Sequence, residues 1–258
     1  MAVFGLGVLG LGVLGLGGAG CQPRPRENKL LAMFYAPTVE QPARYTATYS
    51  KVVGEHAESS SYDLEMKFSR APGEIGPWQV EFQETSLSGE KSPREKLSYL
   101  LDEFGYPAKL GRQEDSVLVA NRFFGYLLPR LPRGPARAGE TWESVIFVRP
   151  FVVEIGPPLL LPIRYTLAAA PGESKGLDPF ALRIDADFSA EQAIPRGVSQ
   201  AEATFYCRVA GRARYDFSAA SGLLISAETT WEYQVEHRQH TPEPISEKGK
   251  ITVTLSPR

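Results

Sequence analysis

Cysteine and histidine are scarce in this chain of 258 residues, with two of the first and three of the second. Two thiols allow at most one disulfide, which excludes a cystine-stapled scaffold. The histidines are His56, His237 and His240, and only the last two lie close together. They sit in Glu236-His-Arg-Gln-His-Thr-Pro-Glu243, which continues a strand-like segment, and a three-residue separation on a strand points them to opposite faces. Solvated polar surface is expected there, and no metal site. Excess charge is also missing, because 28 basic and 30 acidic residues leave a net charge of −2. A nucleic-acid interface needs a basic face, and none is visible. The Gly-x-Ser-x-Gly spacing occurs once, in Gly172-Glu-Ser-Lys-Gly176, which reads as a turn and not as a nucleophile elbow, and no phosphate loop ending in Gly-Lys-Ser/Thr occurs. The carboxylates Asp185, Asp187, Glu202 and Glu228 fall on alternating segments and read as a wet sheet face. The expectation is therefore no enzymatic activity, no cofactor and no nucleic-acid partner.

Charge is absent altogether from the first twenty residues. Val3 to Gly17 has the length of a signal-peptide apolar core, Gly18-Ala-Gly20 supplies small residues for cleavage, and Cys21 follows at once. This order resembles the lipobox of bacterial lipoproteins. The resemblance implies cleavage before Cys21, lipidation of that cysteine by acyl chains such as palmitate, and anchorage to a membrane. Each buried CH₂ contributes about 0.8 kcal/mol, so two or more chains anchor stably where one holds marginally. An uncleaved membrane helix and a cleaved signal without lipid are the alternatives, since about twenty apolar residues span a bilayer. Eight glycines among those twenty positions weaken the helix, because each costs roughly 0.8–1 kcal/mol against alanine. All three place residues 22–258 outside the cytoplasm. Gln22 stands where an aspartate would signal inner-membrane retention, so the resemblance implies the periplasmic side of the outer membrane in a cell with two membranes.

Gln22-Pro-Arg-Pro-Arg-Glu-Asn-Lys29 is polar and reads as a tether. The organisation expected is a signal peptide over 1–20, the lipidated cysteine and tether over 21–43, and a β-rich body over 44–258, divisible into halves 44–130 and 140–258. Period-2 alternation marks strands in Arg44–Val52, Ser60–Phe68 and Trp78–Gln83. The second half repeats it in Glu143–Val153, Ile163–Ala169, Phe180–Phe188, Ala203–Phe217, Leu223–Val235 and Lys250–Leu255. Arg212 to Val235 is the strongest hairpin, with Ala219-Ala-Ser-Gly222 at its tip. Val117, Ala120, Phe124, Leu127 and Leu128 fall at helical spacing, and Pro129 would end a helix. The fold class expected is mainly β, a β-rich α+β fold: one large curved antiparallel sheet or two similar β halves, with one covering helix near 114–128.

The stretch Leu127-Leu-Pro-Arg-Leu-Pro-Arg-Gly-Pro-Ala-Arg-Ala-Gly-Glu-Thr-Trp-Glu143 combines a proline-rich connector with Gly-Glu-Thr-Trp at 139–142. It resembles a signature of uncharacterised β-rich bacterial lipoproteins. That resemblance implies an envelope location and a β-rich fold, and it carries no catalytic residues. Read from the residues alone, the prolines hold an extended connector, Gly139 permits a tight turn and Trp142 starts a strand by burying apolar area.

Two functions remain in view. The first is a structural or interaction role with an envelope protein partner, through the greasy loop Phe147–Ile163 and its residues Phe151, Val152, Leu159, Leu160 and Leu161. Its prolines oppose a regular central strand, so part of it is expected as exposed contact surface. The second is carriage of a lipid or other hydrophobic small molecule in a half-barrel cavity. Tyr62, Leu64, Phe68, Phe82, Phe124 and Trp231 would line such a cavity if it is open and pack solidly if it is not. Cys207, on one strand face with Phe205 and Val209, reads as a buried thiol.

Overall fold

The computed structural model describes residues 30–35, 37, 42–70, 78–86, 96–106, 118–119, 128–149, 159–169, 180–195, 204–238 and 245–258. Among them the regular structure is all strand: β1 (Ala43–Val53), β2 (His56–Arg70), β3 (Trp78–Ser86), β4 (Lys96–Leu101), β5 (Leu118–Val119), β6 (Thr141–Arg149), β7 (Leu159–Ala169), β8 (Ala181–Pro195), β9 (Thr204–Ser218), β10 (Leu223–Arg238) and β11 (Ile245–Pro257). Alternation explains most of them. β1 buries Tyr45 and Ala47 and turns Arg44 outward, while β11 buries Ile251, Val253 and Leu255.

One sheet holds all the strands, in the order β4-β3-β2-β1-β11-β10-β9-β8-β7-β6-β5. Ten of them run antiparallel to their neighbours, and only the two-residue β5 is parallel to its partner β6. The pairing of β1 with β11, from Tyr45 opposite Pro257 to Val53 opposite Gly249, carries the ladder between the segments 44–130 and 140–258. The hairpin at Ala219–Gly222 lies where the sequence places it.

The sheet is strongly curled. β2 and β9 are four strands apart in the ladder, which on a flat sheet is about 19 Å at the roughly 4.8 Å strand spacing. Yet the ring of Tyr35 lies 6.3 Å from that of Phe68 on β2 and 5.3 Å from that of Phe217 on β9. Inward side chains from distant strands therefore meet across the concave face, and the sheet supplies much of its own second layer. A single cluster joins Leu64, Met66, Val80 and Phe82 from one arm with Leu161, Ile184, Phe217 and Trp231 from the other.

The covering helix expected over 114–128 is corrected where the structure describes that span. Leu118 and Val119 pair with Val148 and Arg149 as strand, and Leu128 opens an extended connector. The remaining residues of the span lie outside those described. Short apolar runs such as Val117-Leu-Val fit either period, and β-branched valine favours the strand.

The chain before β1 contributes to the body from residue 30 onward. Leu31 and Ala136 exchange two backbone hydrogen bonds, each 2.9 Å. Met33 and Tyr35 are buried. Tyr35 donates its N–H to the Glu103 carbonyl at 2.7 Å and its hydroxyl to the Pro129 carbonyl at 2.7 Å, and its own carbonyl accepts the Trp78 indole N–H at 3.0 Å. Gly105, at φ +81°, lies under the ring, and a Cβ there would come 2.8 Å from Tyr35 Cε2.

Truncating a buried aromatic side chain costs about 3–5 kcal/mol, and Tyr35→Ala is expected to lose that much in urea denaturation. Tyr35→Phe keeps the ring and is expected to lose about 1 kcal/mol, for one buried hydrogen bond. Equal stability of Tyr35→Ala and the wild type would contradict the packing described.

Candidate interaction site

Outside the curl, most of the sheet is a polar lattice. Arg183 pairs with Asp216 and Arg214 with Asp185, each at 3.1 Å. The Ser226 hydroxyl donates to Asp216 at 2.9 Å, and Thr230 and Thr252 share a hydrogen bond of 3.2 Å. On the other arm Arg44 faces Glu65 at 3.6 Å, and Arg258 bonds Asp63. Asp185, Asp187 and Glu228 line a shallow groove with Arg212 and Arg214. Asp185, Asp187 and Glu228 thus stand on the wet face with basic residues between them, and Glu202 lies outside the described residues.

The β6–β7 ribbon departs from this pattern along its length. Its outward pairs run from Thr141 opposite Thr166, through Glu143 opposite Arg164, to Val145 opposite Pro162, and Leu160 follows two residues before Pro162 on the same side of β7. Glu143 and Arg164 form an ion pair of 2.9 Å. Beyond it the surface turns apolar, with Val145 47% exposed and Leu160 49% exposed. Pro162 is exposed beside them. The inward partners Ile146, Leu159, Leu161 and Ile163 are all in the core. A strand pair apolar on both faces normally has both faces covered.

Pro162 also has a local consequence. The recorded register between β7 and β8 starts at Ile163 opposite Phe188. Proline has no N–H for a ladder, and it is accommodated just past the end of this one. There the Leu160 N–H is met by the side-chain oxygen of Gln192 at 3.4 Å in place of a backbone carbonyl.

The ribbon is fastened to the rest of the body by Arg130. Its guanidinium donates to Ser144 Oγ at 2.6 Å and to the Val145 carbonyl at 2.5 Å. Its own carbonyl accepts the Trp142 indole N–H at 2.7 Å, and Trp142 stacks on Tyr165 with centroids 5.6 Å apart. Burial pulls the guanidinium below its ordinary range, opposed by Tyr165, Tyr106 and Asp102. Burial likewise pushes the Tyr165 phenol up to about 12, with Arg130 opposing the rise. Arg130 and Trp142 belong to the proline-rich connector and its Gly-Glu-Thr-Trp end. Gly139, at φ +88°, makes the turn between them.

The expected site residues divide accordingly. Leu160 is exposed, whereas Leu159 and Leu161 are corrected from partner-loop positions to core, 1% and 0% exposed. They are regular strand despite the prolines, because alternation sends them inward from β7. Phe151 and Val152 lie outside the described residues. Leu64, Phe82 and Trp231 expose no more than 2% of their surface and share one core cluster, with Tyr62 and Phe68 half-buried against it. Such low exposure leaves no water-sized space against the first three. Phe124 and Cys21 lie outside the described residues, as does His240. Val145 was not expected as a surface contact, although the continuous apolar run Val145-Ile-Phe-Val148 is the signal for a two-faced strand.

Among the described residues no group of three or more His, Cys, Asp or Glu side chains is placed to hold a metal ion. No helix among them is long and apolar enough to cross a membrane. The exposed strip offers hydrophobic contact, and the polar lattice beside it sets a boundary to that contact. No protein-family model matches the chain, and no curated protein is significantly similar to it.

Cys207 is fully buried, and burial pushes its thiol up to about 11. Thiolate is the reactive form, so a neutral, enclosed thiol is inert. The native protein is expected to leave Cys207 unmodified by a chromogenic disulfide reagent at pH 8, and denaturant is expected to expose it. Rapid modification without denaturant would contradict its placement.

Proposed function

We propose that this chain is a lipid-anchored protein of the bacterial cell envelope whose β body acts by contact with an envelope protein partner and not by catalysis. The observation that carries the proposal is the strip of Val145, Leu160 and Pro162 on a sheet face that is elsewhere mostly polar and carries paired charges. Isolated exposed apolar residues are ordinary on protein surfaces, whereas contiguous ones mark contacts. The lipobox-like run ending at Cys21 supports the anchor, and Gln22 supports the periplasmic side of the outer membrane where two membranes exist.

Carriage of a hydrophobic small molecule is the second reading. It draws support from Tyr49, Tyr62 and Val209, which are only partly buried at the rim of the core. The solid packing of Leu64, Phe82 and Trp231 favours contact over carriage. Stoichiometric lipid in organic extracts of the anchor-free protein would reverse that preference.

Metabolic labelling with a radioactive fatty acid tests the anchor: wild type is expected to incorporate label and Cys21→Ala to incorporate none. A photo-cross-linker placed at Leu160 in native membranes tests the surface. It is expected to give a discrete adduct that is absent when the same probe replaces Glu228, and equal adducts at both positions would sink the proposal.

A further inference from the structure

The six residues Leu30-Leu-Ala-Met-Phe-Tyr35 are all apolar, and the body takes up only half of them. Leu31, Met33 and Tyr35 face inward, while Leu30, Ala32 and Phe34 face outward. Leu30 is 52% exposed and Phe34 51%. The segment is pinned by the Leu31–Ala136 pair and by the hydrogen bonds of Tyr35, so the direction of its outer face is fixed relative to the sheet. The antiparallel bridge sets Arg137, which is exposed, opposite Leu30.

We propose that Leu30 and Phe34 form a second, non-covalent membrane contact that seats the body on an anionic lipid surface in one orientation. This rests on the proposed anchor at Cys21. Eight residues separate Cys21 from Leu30, and the nine Cα–Cα steps between the two reach at most about 30 Å. A compact body of this size is about 45 Å across. The face where the chain enters the body is thus held toward the bilayer, and that face presents Leu30 and Phe34. The intervening segment carries Arg24, Arg26 and Lys29 against the single acidic residue Glu27. Basic residues close to an anionic surface are attracted to it, while a leucine and a phenylalanine enter the boundary between headgroups and acyl chains. The charge and the apolar pair therefore suit the same lipid surface. For the strip on β6–β7, by contrast, no such feature selects a lipid surface.

Nitroxide labelling of the full chain tests the proposal. The label is placed at Phe34→Cys, with Leu30→Cys as a second site and exposed Val52→Cys as the control, and the protein is reconstituted into vesicles of phosphatidylethanolamine and phosphatidylglycerol. A contact reaching the headgroup boundary predicts collisions with a nickel chelate about fivefold rarer at 34 than at 52, and collisions with oxygen at least as frequent. Nickel access at 34 and 30 equal to that at 52, in protein whose mass shows acylated Cys21, would overturn the membrane contact and leave the anchor standing. Shielding of 34 from both nickel and oxygen would overturn it in favour of a protein cover. Equal shielding in vesicles of phosphatidylcholine alone would overturn the anionic component. A mass without acyl chains would overturn the anchor reading itself, whatever the nitroxide shows.

Discussion

Tyr35 is held from several directions, and the curvature of the sheet depends on that hold. Its hydroxyl, amide and carbonyl each find a partner in a different part of the chain: Pro129, Glu103 and the Trp78 indole. Its ring fills the space between Phe68 and Phe217. An uncovered sheet exposes both faces, and this one covers its inner face by bending until side chains from far strands touch. The Leu131 N–H donates to Phe104 at 2.8 Å, which ties the chain leaving β4 to the chain entering β6. The connector and the Tyr35 segment thus lace together the two arms of the curl. Tyr45 adds a similar stay between β1 and β10, its hydroxyl donating at 2.5 Å to the Leu224 carbonyl beside the irregularity in the β9–β10 register.

The proposed function rests on how the two faces are divided. The inner face is assigned to folding, and its aromatic and aliphatic side chains are largely used up there. The outer face is available for recognition, and cross-strand pairs of opposite charge keep most of it in water. Individually such exposed pairs contribute little to stability, with a typical worth of 0–1 kcal/mol. Apolar side chains still meet solvent in places, among them the far end of the β6–β7 ribbon and the outer side of residues 30–35. Arg130 secures the first through Ser144 and Val145, and Tyr35 secures the second. Rigid support of this kind lowers the ordering cost of a later contact.

Much of this was legible in the sequence, and the parts that were not share a cause. The alternation in Ser60–Phe68 and the glycine-tipped hairpin at 219–222 depend on local chemistry, so β2, β9 and β10 could be read directly. Gly139 and Trp142 were likewise placed correctly, as turn and strand start. Leu159 and Leu161 were misassigned because prolines within a greasy run suggest a loop, whereas Pro162 only has to avoid one ladder. Residues 30–35 were folded into the tether because a lone extended segment carries no period that distinguishes it from linker. Its burial comes from Ala136, Glu103 and Phe217, all distant in sequence. The Arg130 cluster was invisible for the same reason: nothing near Arg130 announces that Ser144 and Tyr165 will close round it. For Cys21, the sequence is the whole basis of the anchor.

The central claim is that residues 30–35 are an integral part of the fold and lace its two arms. Native-state amide hydrogen exchange tests it most directly, because protection reports the free energy of opening each hydrogen bond. The account predicts that the amides of Leu31 and Tyr35, bonded to Ala136 and Glu103, exchange as slowly as those in the centre of β9 and β10. Exchange of both at the rate of an unstructured chain, while β9 and β10 stay protected, would contradict it.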